Sequence, residues 1–293
     1  MCKTIGGFGN LEVPVMAMIE HGLNALLGEV VAEFAVLPEV TAVALSGSRG
    51  DRYSDDHSDF DLYVYSVTEP SKSWRIDLGR KFGDRACIGN NFWEPGDEWV
   101  ASQSGNVVDI MYRAPAWIEE QLDRVLLRHQ ASLGYSTCFV HNVLRSKPLF
   151  DRDGWFASLQ EKAQQPYPEA LRDAVIFKNH PVLRGKMSSY ADQIALALDR
   201  GDLVSVNHRI AALLASYFDI LFAVNRVYHP GEKRLVAHVL AGCPKRPQDF
   251  QTQVTELLSA ISPAGQPGTI ARVNALLDGL DALLFAEQLI ASE

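Results

Sequence analysis

Leu45-Ser46-Gly47-Ser48-Arg49-Gly50-Asp51-Arg52-Tyr53-Ser54-Asp55-Asp56-His57-Ser58-Asp59-Phe60-Asp61-Leu62 joins two short apolar stretches through a polar turn. Upstream, Thr41-Ala-Val-Ala-Leu-Ser46 is short and apolar and runs into Gly47-Ser48, which predicts a buried strand ending in a turn. Downstream, Phe60-Asp-Leu-Tyr-Val-Tyr-Ser-Val67 alternates as a second strand. Strand side chains alternate between faces, so Asp59 and Asp61 point to one side while Phe60 points away. Two carboxylates that close repel unless positive charge sits between them. Mg²⁺ is the usual occupant, because it favours carboxylates together with phosphate oxygens and retained waters. Gly47 lets the backbone approach an anion, and the Ser48 hydroxyl adds a donor beside the turn N–H groups.

Further along the chain, Asn106-Val-Val-Asp-Ile-Met-Tyr-Arg113 reads as a strand with one acid, Asp109, in apolar company. Such a carboxylate costs several kcal/mol to bury, about 3–5 where its partner is missing, unless it is paired or metal-bound. A structural salt bridge is the bland alternative for Asp109, and a solvated strand start is the one for Asp59 and Asp61. Other Asp-x-Asp chemistries fit less well. A calcium loop needs alternating oxygen ligands and a central glycine. An aspartyl-phosphate phosphatase would want a small hydroxyl residue where Tyr63 stands. A manganese-dependent glycosyltransferase leaves Gly47-Ser48 without a role.

Together these residues resemble the nucleotidyltransferase superfamily that includes DNA polymerase β. The smaller bacterial members that modify antibiotics, such as the kanamycin, streptomycin and lincosamide nucleotidyltransferases, are closest in size. Their signature is Gly-Ser, a spacer of this length, an Asp-x-Asp strand and a third carboxylate on a later strand. Gly47, Ser48, Asp59, Asp61 and Asp109 match it. The resemblance covers residues 40–113 by motif and the rest by architecture only. It implies two Mg²⁺ ions (Mn²⁺ as an alternative) held by Asp59, Asp61 and Asp109, with ATP or another nucleoside triphosphate as co-substrate. A nucleoside monophosphate, AMP for ATP, would pass to a hydroxyl of a small-molecule acceptor with release of pyrophosphate. Asp109 would then be a candidate base as well as a metal ligand. An aminoglycoside-like acceptor is one expectation. Two other readings on the same fold are a non-catalytic nucleotide-sensing or partner-binding protein and a protein-adenylylating enzyme.

The 293 residues suggest two domains or one large one at roughly 150 residues each. Val15 to Phe34 carries the three-to-four spacing of a buried helix face. Ser71 to Asp84 predicts a helix, Ile88–Trp93 and Glu98–Ser102 predict strands, and Pro115 opens a helix through His129. After about residue 135 helical periodicities take over: Glu169 to Arg200 with a break at Pro181, Leu203 to Val227, Gln248 to Ile261 and Thr269 to Ala291. The expected architecture is therefore α+β. It has a nucleotidyltransferase-type catalytic domain over 1–135, with a small mixed sheet flanked by helices, and an all-α bundle over 136–293 for substrate or nucleotide.

Within that second half, Phe222-Ala-Val-Asn225-Arg226-Val-Tyr228-His229-Pro230-Gly231-Glu232-Lys233-Arg234 places a helix end, a Pro-Gly turn and a new helix start in one run. It is similar to a motif in uncharacterised bacterial proteins with a nucleotidyltransferase head and a helical tail. Antibiotic nucleotidyltransferases set a helical-domain lysine against the triphosphate, so Lys233 is the candidate here and Arg226 the second. His180, Asn207, Arg209 and Asp219 are candidates to line a cleft, with an Arg209–Asp219 pair inside the bundle as the plainer expectation.

Composition narrows the partners. Apolar residues make up 47% and charged residues 22%, as in ordinary globular proteins. Lys and Arg total 27 against 36 Asp and Glu, a net charge of −9, which argues against general nucleic-acid binding. It is compatible with a polycationic acceptor. Cys2, Cys87, Cys138 and Cys243 show no zinc-ligand spacing and read as reduced thiols. The first residues lack a signal-peptide pattern. No uncharged apolar run approaches the roughly 18 residues of a membrane span, Ile210 to Val224 being interrupted by Asp219. A cytoplasmic protein with no membrane partner is expected.

Overall fold

The structure is a computed structural model that describes residues 25–47, 59–92, 94–262 and 266–291. The chain divides into two compact units, residues 1–118 with 145–161 and residues 119–144 with 162–293. The expected α+β class holds, with a mixed six-stranded sheet flanked by helices in the first unit and a helical second unit.

In the first unit, helix α1 covers residues 25–35. It is followed by β1 (Val40–Ser46), β2 (Phe60–Ser66), α2 (Lys72–Phe82), β3 (Gly83–Asn90), β4 (Gly96–Ala101) and β5 (Val107–Arg113). The sheet order is β3-β4-β5-β2-β1-β6, where β6 is Lys147–Asp151. Among the described strands only β2 and β5 run parallel. Parallel neighbours need a crossover, and here α2 and the β3–β4 hairpin supply it.

One sheet face carries Val43, Leu45, Phe60, Leu62, Val64, Val108 and Ile110. These pack with Leu26, Val30 and Phe34 of α1 and with Leu78 and Phe82 of α2 into one core. The Phe34 ring lies 5.1 Å from that of Trp74. Ser71 caps α2 by accepting the Trp74 N–H, as a serine before a helix should. A buried polar knot ties α2 to the sheet. Arg75 pairs with Asp97 at 2.9 Å, and Asp97 also accepts the Tyr112 hydroxyl and the Gly89 N–H. Every buried charge in this knot thus has a partner, the condition for tolerating it.

Lys147–Asp151 falls where the sequence suggested helical structure, yet it forms β6, antiparallel to β1. Helix α5 (Trp155–Ala163) follows it. Between them, Arg152 donates to the carbonyls of Ala35, Leu37 and Val40. It therefore satisfies backbone acceptors left over at the end of α1 and the start of β1. The strands expected around Ile88–Trp93 and Glu98–Ser102 begin earlier, at Gly83 and Gly96. The hydrophobic signal there starts only midway along each strand.

In the second unit the regular elements are helical throughout the described residues. They are α4 (Cys138–Arg145), α6 (Glu169–His180), a π-turn at Pro181–Gly185, α7 (Tyr190–Asp199), α8 (Leu203–Val224), α9 (Leu235–Gly242), α10 (Phe250–Ser259) and α11 (Gln266–Ala286). Helix α3 (Pro115–Leu126) spans the sequence position where the first unit gives way to the second. The Pro181 break is a π-turn, and Asp202 caps α8 by accepting the Ser205 N–H. From Ser216 to Val224 every residue of α8 is buried, so this helix runs through the middle of its bundle. Among the described residues no helix is long and apolar enough to cross a membrane.

Candidate active site

The sheet face opposite the α1–α2 core carries the carboxylates. Asp61 pairs with Ser46 across β1·β2 and with Asp109 across the parallel β2·β5 ladder, and Asp109 pairs with Glu98 across β4·β5. Residues in register share a face, and neighbouring strands lie about 4.8 Å apart. Ser46, Asp61, Asp109 and Glu98 therefore form one row across four strands. Asp59 stands exposed one residue before β2, and by alternation it extends the same face.

Gly47 follows β1 with φ +69°, a backbone conformation that favours glycine. A Cβ placed there would come within 1.7 Å of Asp61 Oδ2. The Asp61 carboxylate thus lies directly against bare backbone, an approach that no other residue type would permit. Ser48 lies outside the described residues, as do Arg49, Asp51, Arg52, Asp55, Asp56 and His57.

Electrostatics marks Asp109. Partial burial pushes its carboxyl up to about 6, and the negative charges of Asp61, Glu98, Glu94 and Asp59 add to that effect. Among the described residues no arginine pairs with Asp109. Arg113, four residues further along β5, is engaged elsewhere. It pairs with Glu94 at 2.7 Å, and its guanidinium lies 3.8 Å from the centre of the Tyr63 ring. On the same face Tyr65 packs 5.2 Å from the Trp155 ring and 5.4 Å from Phe156, closing the end away from the carboxylates.

The donor set is one of hard oxygen atoms with surplus negative charge, which suits Mg²⁺ or Mn²⁺. Among the described residues no three His, Cys, Asp or Glu side chains converge as a ready ligand set. The fixed part is the Asp61–Asp109 register, with Asp59 at its margin. Glu98 and Glu94 are acids that the sequence reading passed over. Glu98 could have been found from the alternation of β4, where it is the exposed residue between buried Asp97 and Trp99.

The other sequence candidates lie in the second unit. Lys233 is exposed in the turn before α9, not in its first helical turn, because Arg234 takes the cap with φ 55°. Arg226 is exposed and pairs with Glu169, which holds its Nη2 at 2.9 Å. His229, within the same segment, is fully buried. Its backbone N–H donates to Thr137 Oγ1, and its Nδ1 accepts from the Gly231 N–H. Burial, then the nearby His141 and His238, push its imidazole down to about 3, so it is neutral at ordinary pH. His180 pairs with Asp281, which also binds Arg184. Asn207 and Arg209 are exposed. Asp219 does not pair with Arg209. It is buried in α8, where it accepts from Ser136 N–H, Ser136 Oγ at 2.6 Å and Asn179 Nδ2.

Comparison with known proteins adds three findings. Residues 137–235, less than half of the chain, match a family described as a domain of unknown function, DUF4037. No curated protein matches. A solved structure similar to this chain is that of a nucleotidyltransferase-like protein from Exiguobacterium sibiricum 255-15. It is 15% identical over 88% of this chain and 73% of that one, with a TM-score of 0.43.

Proposed function

We propose that the protein is a Mg²⁺-dependent nucleotidyltransferase that moves a nucleoside monophosphate, AMP from ATP, to a hydroxyl of a small-molecule acceptor and releases pyrophosphate. The observation that carries the reading is the in-register Asp61–Asp109 pair. It lies beside Gly47 and is crowded by further carboxylates, with no compensating cation on Asp109 among the described residues. Crowded acids of this kind oppose folding unless they serve a ligand.

Asp59, Asp61 and Asp109 would hold the metal, which supplies charge neutralisation on the transferred phosphoryl group and on the acceptor oxygen. The protein's own contributions are separable. Gly47 keeps side-chain bulk away from the Asp61 carboxylate, which a Cβ there would meet at 1.7 Å. Asp109, with its carboxyl at about 6, is mostly ionised at neutral pH and basic enough to accept a proton from a hydroxyl drawn up beside it. Lys233 is the candidate for the triphosphate. Arg226 is second to it, because Glu169 already neutralises its charge.

Isothermal titration with ATP, with and without Mg²⁺, tests the reading when wild type is compared with Asp61→Ala. Metal-dependent binding that the variant loses, together with pyrophosphate release in the presence of a hydroxylated acceptor, is the expected result. Metal-independent binding with no turnover across a broad acceptor panel would replace it with a nucleotide sensor.

A further inference from the structure

A cavity of about 540 Å³ lies wholly within the second unit. Its floor is Ala211, Leu214, Ala215 and Phe218 of α8, and its walls are Leu235, Val236, Ala237 and Leu240 of α9 with Val254 and Leu258 of α10. Among the described residues three polar side chains line it, those of Tyr135, Arg234 and Gln251. Cavities of roughly 300–1,000 Å³ lined this way are the usual seats of small ligands, which use a few polar groups for orientation.

The loop at one end of the cavity is held in place. Tyr135 (φ 54°) and Arg234 (φ 55°) both hold left-handed backbone conformations, which cost energy in non-glycine residues. The Tyr135 segment is pinned on either side. Gly134 N–H donates to Asn179 Oδ1, and Ser136 donates through N–H and Oγ to Asp219. A Cβ at Gly134 would come within 2.9 Å of Ala215, so glycine lets the loop close down on α8. Leu240 and Leu258 line the groove and are 41% and 49% exposed.

From the apolar lining and its one cationic side chain, we infer that this groove binds a small molecule with a flat or branched apolar body and a single anionic head directed at Arg234. A guanidinium carries five donors, so Arg234 can serve a carboxylate while contacting another group. The inference is independent of nucleotide transfer, and its test contains no nucleotide.

The test titrates the full chain with 2-naphthoate and with protonated 2-naphthylmethylamine, by calorimetry and by thermal shift. Saturable one-to-one binding of naphthoate, tighter than the amine by tenfold or more, is expected. Ala211→Trp, which fills the groove from an exposed floor position, should weaken naphthoate at least about tenfold with Tm unchanged. Ala237→Trp, on another helix, should do the same and serves if the first variant does not fold. Arg234→Glu should reverse the preference between acid and amine. The idea is overturned by absent or non-saturating heats, by an amine bound as tightly as the acid, or by tryptophan variants that bind as wild type does. A concentration-dependent dimer dispersed by Ala211→Trp overturns it in favour of a second copy of the chain.

Discussion

Asp109 in the sheet and Asp219 in helix α8 make an instructive pair. Both carboxyls are pushed up by burial, to about 6 and about 7. Their surroundings are opposite. Asp219 is 2% exposed and ringed by donors from Ser136 and Asn179. Asp109 is half-buried, and the negative charges of Asp61, Glu98, Glu94 and Asp59 raise it further. A buried carboxylate wrapped in donors organises its own protein, as Asp219 does for the 132–137 loop. Among the described residues Asp109 has no such ring of donors, and the like charges across the sheet raise the cost of ionising it.

The sharpest break between the two would come from activity. Asp61→Ala or Asp109→Ala should lower pyrophosphate release about 10³-fold, the several kcal/mol expected of a lost metal ligand, whereas Asp219→Asn should leave it within a few-fold. Stability should divide the other way. Asp219→Ala strands the Ser136 and Asn179 donors in the interior and should cost about 3 kcal/mol in urea unfolding. A loss under 1 kcal/mol would show that the knot is not structural.

Gly47→Ala comes next, at about 2 kcal/mol, because the new methyl meets both a left-handed backbone and the Asp61 carboxylate. It should also impair metal-dependent nucleotide binding, which separates it from an ordinary turn glycine.

The smallest effect has a telling sign. Asp109 binds its proton at about 6 in the folded state and near 3.8 unfolded. The folded form therefore holds more protons between those values. Stability falls as pH rises through that window and then levels off. Asp109→Asn should thus stabilise the protein by about 1 kcal/mol at pH 8, after discounting for the solvent screening of a half-exposed group. Below pH 4 it should change nothing. Paired thermal melts at the two pH values read this directly. A destabilised variant at pH 8 would mean that Asp109 is held by a favourable partner.

The sequence showed the acids of the site more readily than it showed their arrangement. Asp59 and Asp61 could be read because strand alternation is local, and Gly47 because the turn that it opens is local too. That Asp109 stands opposite Asp61, and Glu98 opposite Asp109, depends on register between strands more than forty residues apart in the first case. No pattern within either strand encodes that. The bundle helices of the second unit were legible from long periodicities. Helix α4 escaped because its eight residues bury only Val140 and Val143, too few for a period to emerge. Helix α9, also eight residues long and burying only Val239, was read from the Pro-Gly turn before it and not from its period. β6 escaped because Lys147-Pro148 opens it on a sheet edge, with its residues only partly covered.

That late strand sets a condition on how the protein can be made. β1 receives its outer neighbour, and α1 its carbonyl partners, only when residues 147–152 have arrived. A fragment stopped near residue 135, where composition changes, would expose a full edge of β1 to any other extended chain. Expression boundaries for the carboxylate-bearing half should therefore extend past α5, or splice residues 145–163 back onto a shortened head.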